Sequence, residues 1–200
     1  MTPEPLVLAS ASAARAALLR AAGIAFDIDP AAIDEAAVKR QCRADGCDAP
    51  ACAALLAEAK ARAVAQRHPE AVVIGADQIL VLGDEWFDKP QDRAAAAAQL
   101  RRLRGRAHRL ATAACAVCGS ELLWRAEAAP KLSMRRFGDA FLAQYIAAEG
   151  DAVLGAVGAY RVEGRGVQLF ARIEGDHFAI LGLPLIELLA FLRRRGIVAE

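Results

Sequence analysis

Two patterns of apolar spacing alternate along the chain. Leu6-Val7-Leu8-Ala9 is a short apolar run of the kind that forms a buried strand. Leu18, Leu19 and Ala22 then share one helical face, and Gly23 stands where such a helix ends. Phe26 to Pro30 alternates as a second strand, whereas Arg40 to Ala49 fits either a loop or a helix. A long helix is predicted from about Ala51 to Arg67, with Leu55, Leu56, Ala59 and Ala63 as its apolar stripe. Lys60 lies beside that stripe and is expected to reach for solvent. Val72-Val73-Ile74 opens a β-branched strand; the turn formers Gly83-Asp84-Glu85 send the chain back through Trp86-Phe87 to Asp88-Lys89-Pro90.

The second half continues in the same way. Asp92 to Arg104 is helical and Gly105 closes it, His108 to Cys118 and Glu121 to Ala128 read as strands, and Lys131 to Phe137 leads to a helix capped by Asp139 and ending at Glu149. Gly155 to Gly166 packs glycines and small residues into a span that suits close backbone approach or a loop with special dihedrals. Val167 to Ile173 alternates as a strand, and a last helix starts at Gly182-Leu183-Pro184 and stops at Gly196. Strands interleaved with helices, without a repeat or a low-complexity linker, predict an α/β fold in one domain spanning residues 1–200.

Composition narrows the function classes. The 200 residues carry a net charge of +1, so no general attraction to nucleic acid or to an acidic membrane is expected. Charges or prolines interrupt every apolar run well short of the roughly 20 residues that cross a bilayer. Five cysteines, an odd number in a chain of this size, suit reduced thiols and a cytoplasmic setting. Cys115-Ala-Val-Cys118 has the spacing of half a zinc or redox site, but no second pair accompanies it.

The candidate chemistry lies in a few polar residues set among apolar ones. Asp77 follows a β-branched run, where a carboxylate is costly unless paired or bound; a turn-capping aspartate is the plain alternative. Ser10 and Ser12 fall between a strand and a helix, the place where backbone N–H groups attract anions, and Arg15 lies one turn further on. A capping serine and a solvated arginine would give the same pattern. Ile33-Asp34-Glu35 is an acidic pair where the chain leaves the second strand. With Lys60 and Lys89, these residues combine cations and hydroxyls that hold phosphate with two separated acids, Glu35 and Asp77, that hold a hard divalent ion and position water. No phosphate-binding G-x-x-x-x-G-K-[ST] loop, dinucleotide G-x-G-x-x-G or G-x-S-x-G elbow is present. His68, His108 and His177 show no ligand spacing.

In order along the chain, Ser10-Ala-Ser12-Ala-Ala-Arg15, Ile33-Asp34-Glu35, Ala59-Lys60-Ala61, Gly75-Ala76-Asp77-Gln78, Lys89-Pro90, Gly105-Arg-Ala-His108, Gly158-Ala159-Tyr160, Glu174-Gly175-Asp176 and Gly182-Leu183-Pro184-Leu185 resemble the motifs of the Maf family. The resemblance covers about Leu6 to Leu192. It implies an inosine-triphosphatase-like fold, a mixed twisted sheet flanked by helices in two lobes around a cleft. It also implies a cytoplasmic, homodimeric enzyme that hydrolyses nucleoside triphosphates to nucleoside monophosphate and pyrophosphate with a divalent cation, Mg2+ or Mn2+. By resemblance Asp77 is the proton acceptor for water, Glu35 and Asp77 hold the metal, Lys60 and Lys89 serve catalysis, and Ser10, Ser12 and Arg15 bind the triphosphate. Gln78 and Glu163 resemble the branch that takes 7-methyl-GTP, although Ala14 stands where that branch has an aromatic ring. A nucleotide-binding regulator of septum formation, with little turnover, is the alternative within the same family.

Overall fold

The structure, a computed structural model, describes residues 4–199. The chain forms two compact units. The first takes the residues up to Gln78, Thr112–Ala128, and those from His177 on; the second takes Ile79–Ala111 and Ala129–Asp176. Among the described residues no helix is long and apolar enough to cross a membrane.

The first unit begins with strand β1 (Leu6–Leu8), helix α1 (Ala13–Ala21) and strand β2 (Asp27–Ile28). Helices α2 (Glu35–Ala44) and α3 (Ala49–Ala65) follow, and then strand β3 (Val72–Leu82), whose residues to Gln78 belong to this unit. Strand β5 (Ala107–Cys118) enters it at Thr112 and pairs antiparallel with β6 (Glu121–Ala128). Helices α6 (His177–Ile180) and α7 (Leu185–Arg194) complete it. Within the unit the strand order is β2-β1-β3-β5-β6. The first three strands are parallel, Leu8 lying opposite Ile28 on one side and Ile74 on the other. Leu8, Leu19, Ile74, Leu183 and Leu188, each fully or almost fully buried, centre one apolar core.

In the second unit β3 ends at Leu82, turns through Gly83 and Asp84, and returns as β4 (Glu85–Phe87), with Leu80 opposite Phe87. Helix α4 (Arg93–Leu103), the first residues of β5, strand β7 (Lys131–Met134), helix α5 (Asp139–Glu149) and strand β8 (Phe170–Glu174) make up the rest. Three 3-10 segments, Gly150–Gly155, Val157–Ala159 and Arg165–Leu169, precede β8. Ile79, Leu80, Leu100, Leu103, Leu110, Leu132, Leu142 and Leu169 are among its fully buried side chains. Gly158 has φ +78°, and a Cβ there would lie 2.5 Å from Leu80 Cδ1, so the expected close approach in the glycine-rich span is real.

Local expectations differ from the structure at several points. The second strand shrinks to Asp27–Ile28, and the ambiguous stretch before Ala49 is the C-terminal part of α2 and a short connection. Asp139 is the first residue of α5 rather than its cap, which is Gly138 with no side-chain hydrogen bond. Val167 to Leu169 belong to a 3-10 segment, and only the later residues pair as β8. The buried face of α3 is Cys52, Ala53, Leu56, Ala57, Lys60, Ala61 and Val64, while Leu55 is half exposed. Lys60 therefore sits in the middle of the stripe, spaced i+4 and i+3 from Leu56 and Ala57. It does not snorkel.

Candidate active site

Open parallel sheets place ligands beyond the carboxyl ends of their strands. In the first unit three such ends carry the expected polar residues. The chain leaving β1 carries Ser10, Ser12 and Arg15; that leaving β2 carries Asp34 and Glu35; β3 continues past its pairing with β1 to Asp77 and Gln78.

Lys60 joins the two acids. Its Nζ lies 2.6 Å from Asp77 Oδ1 and 2.7 Å from Glu35 Oε1. Asp77 is 5% exposed and Lys60 8%, whereas the Glu35 side chain is nearly half exposed. Asp77 lies inside an unbroken strand, so the turn-capping reading does not apply. Asp34 is the true cap of α2: its carboxylate accepts from the Ala37 N–H at 2.8 Å, which leaves Glu35 to face Lys60. Close packing sets the Lys60–Asp77 distance. A Cβ at Gly75 would lie 2.1 Å from the Ala57 carbonyl oxygen and 2.9 Å from Ala61 Cβ, so only glycine lets α3 approach β3 this closely.

Ser12 caps α1, accepting from the Arg15 N–H at 3.4 Å. Arg15 is not a surface charge. It is 9% exposed and spans the unit: Nε donates to the Gly182 carbonyl at 2.8 Å, and Nη1 to the Ala76 carbonyl at 2.9 Å and to Ser10 Oγ at 3.1 Å. Burial lowers its pKa, while Asp77 first and then Glu35 act to raise it. Ser10 Oγ also accepts from the Ser12 N–H at 3.2 Å. Two donors thus hold the Ser10 oxygen, and its own proton is available to an incoming oxyanion. Gln78 is half-buried; its Nε2 lies 2.8 Å from Thr112 Oγ1, 2.9 Å from the Ala179 oxygen and 3.3 Å from the Ile180 oxygen.

Ser10 and Arg15 thus form one cluster and Glu35, Lys60 and Asp77 another, the two meeting where Arg15 holds the Ala76 carbonyl next to Asp77, with Ser12 beside the first and Gln78 following Asp77 in the chain. Lys89 and Glu163 belong to the second unit, both exposed, and Glu163 Oε1 is 3.2 Å from Arg161 Nε. His108, also in that unit, is structural: it is 2% exposed, with Nε2 2.7 Å from Tyr160 Oη. Sequence reasoning passed over Gly75 as a spacer and Thr112 as a hydroxyl. The one signal for Thr112 was a polar residue in the otherwise apolar run Leu110 to Val117.

Among the described residues no group of three or more His, Cys, Asp or Glu is placed to hold a metal ion. Glu35 and Asp77 fit a Mg2+-type ion nonetheless, because such ions are held by one or two carboxylates together with substrate phosphates. Lys60 contacts a single oxygen of each.

Over residues 5–195 the chain matches the family described as Maf-like protein. It is 51% identical over 189 residues to a nucleoside triphosphate pyrophosphatase of Granulibacter bethesdensis, covering 94% of this chain and 96% of that protein. It is 48% identical over 189 residues to a 7-methyl-GTP pyrophosphatase of Brucella abortus, covering 94% of this chain and 95% of that one. With a family match across nearly its whole length and relatives at about half identity, the chain belongs to the Maf family.

Proposed function

We propose that this protein hydrolyses nucleoside triphosphates between the α and β phosphates, adding water to yield a nucleoside monophosphate and pyrophosphate. The observation that carries the reading is the buried Lys60 held between Glu35 and Asp77, the latter on β3 just past its pairing with β1. The two relatives named above act as pyrophosphatases and add support.

The residues divide the work. Asp77 accepts the proton of the attacking water; its carboxylate, fixed by Lys60, is positioned before substrate arrives. Ser10 donates its hydroxyl proton to a phosphate oxygen. Arg15 orients Ser10 through Nη1 and meets phosphate through Nη2, which makes no hydrogen bond among the described residues. Lys60 supplies positive charge to the phosphoryl oxygens, and the reaction becomes largely a matter of placement and charge. Ser12 N-caps the helix behind them, and Gln78 meets the base. Glu35 and Asp77 would hold Mg2+ or Mn2+, which when bound neutralises phosphate charge and polarises the phosphorus. The substrate proposed first is 7-methyl-GTP.

The test is pyrophosphate release by the purified protein with Mg2+ or Mn2+, over 7-methyl-GTP, GTP, UTP, dTTP and CTP. Metal-dependent release from at least one is expected. No release from any would favour a nucleotide-binding regulator; equal rates on all would exclude a narrow base preference.

A further inference from the structure

The orientation of the Gln78 amide follows from its neighbours alone. The Ala179 and Ile180 carbonyls can only accept hydrogen bonds. The Thr112 hydroxyl, which is 1% exposed, donates to the Ala179 oxygen at 3.0 Å, so it faces Gln78 with a lone pair. All three atoms around the end of Gln78 are therefore acceptors, and the group meeting them must be the NH2. A flipped amide would set Oε1 against three acceptors, and the Ile180 carbonyl would lose the Gln78 donor, while the Ala179 oxygen keeps those of Thr112 and Gly182. Oε1 is left as the free end. It accepts no hydrogen bond among the described residues, and it is not sealed from solvent as Gln99 Oε1 is.

We infer that Thr112 is a positioning residue for base selection: by holding the Gln78 NH2 inward it presents Oε1 alone to the base, and so selects bases with a ring N–H on the Watson–Crick edge. The inference rests on the proposed pyrophosphatase reading for the identity of the ligand. Guanine, 7-methylguanine, uracil and thymine carry such an N–H. Cytosine and adenine carry a ring acceptor at the matching position, which would face the Gln78 oxygen lone pairs unpaired. A site built to pair a donor rejects the analogue that lacks it, because its own polar group is then stranded. Gln78 touches the base, and Thr112 acts through Gln78. β3 and β5 are neighbours in the sheet, so the two side chains meet on rigid elements rather than on loops.

UTP and CTP are nearly identical in size and differ at this edge, which makes them the deciding pair. Thr112→Val keeps the shape and removes the hydroxyl; Thr112→Ser keeps the hydroxyl. For the wild type, kcat/KM should favour UTP over CTP. In Thr112→Val that ratio should fall about tenfold, through KM rather than kcat, because the base is remote from the reacting phosphorus. Thr112→Ser should restore it. Dissociation constants for UMP and CMP on the same proteins read base preference without turnover, so an absence of hydrolysis would count against the pyrophosphatase reading alone. Equal binding of UMP and CMP by the wild type, or an unchanged preference in Thr112→Val, would overturn the role of Thr112. So would a serine variant as impaired as the valine one, since that would mark packing and not the hydroxyl.

Discussion

Lys60 Nζ and Asp77 Oδ1 lie 2.6 Å apart in the interior of the first unit, one on the helix that precedes the strand bearing the other. Glu35 shares the same ammonium from the exposed side. Removing one partner of a buried pair strands the charge that remains, at a cost of about 3–5 kcal/mol. Lys60→Met, which strands two carboxylates, should therefore lose more stability than Asp77→Asn, in which Lys60 keeps Glu35. In urea denaturation the methionine variant should unfold at clearly lower denaturant. The reverse order would show that Lys60 contributes little to the folded state.

Asp77→Asn separates chemistry from folding. The asparagine keeps the shape but cannot take a proton from water, so kcat should drop by roughly 10²–10⁴-fold, the usual worth of a general base. The circular dichroism spectrum should be unchanged. Turnover near the wild-type rate would remove Asp77 from the proposed role.

Gly75→Ala tests how the pair is positioned. The added Cβ collides with the Ala57 carbonyl oxygen and Ala61 Cβ, so α3 must retreat from β3 and carry Lys60 away from Asp77. Overpacking of this kind costs about 1–3 kcal/mol. Activity should fall with stability although no polar atom has been touched. A variant with a normal melting temperature and full activity would mean that helix and strand separate without disturbing the site.

Arg15→Lys should be far from conservative. A lysine ammonium cannot reach the Ser10 hydroxyl and the Ala76 and Gly182 carbonyls together, as the guanidinium does. At about 1–3 kcal/mol for each buried acceptor left unpaired, the melting temperature should fall, and KM for triphosphate should rise as Ser10 loses its orientation. A rise in KM without any loss of stability would assign Arg15 to the ligand alone.

Which of these features the sequence showed follows from what each residue does. Periodicity located most of the strands and helices because one face of each is apolar; β6 runs from Glu121 to Ala128 as the pattern predicts. It misplaced the Lys60 side chain, since a charged residue in an alanine-rich helix looks peripheral until its partners arrive from β3 and α2. For Arg15 the rule that arginines lie at the surface failed for the same reason: its partners, Ala76 and Gly182, are far away in sequence. Backbone carbonyls leave no trace in residue identity, so neither the Arg15 clamp nor the Ala179 and Ile180 oxygens that orient Gln78 were legible. Motif order identified the acids and bases, and tertiary structure decided what each of them faces.

His108 supplies a pH dependence of stability whose sign can be worked out. Burial pushes its pKa down to about 4 from the ordinary 6.5, and its Nε2 is paired with Tyr160 Oη while Nδ1 is buried without a partner. Above pH 6.5 the ring is neutral in both the folded and the unfolded chain and contributes no slope. Between 6.5 and about 4 the unfolded chain takes up a proton that the folded one refuses, so stability falls as the pH falls. Below about 4 both forms are protonated and the loss levels off at about 3 kcal/mol, at 1.36 kcal/mol per pH unit. Asp29 does not confuse this window. Hydrogen bonds from Arg67 and then His68 hold it down to about 2 from 3.8, so its stabilisation is present above 3.8 and is lost only as the pH falls towards 2. His108→Gln keeps a polar group for Tyr160 and cannot titrate. Urea denaturation at pH 7.5 and 4.5 should show the wild type losing stability relative to this variant on acidification; parallel losses in the two proteins would show that His108 is not the group being protonated.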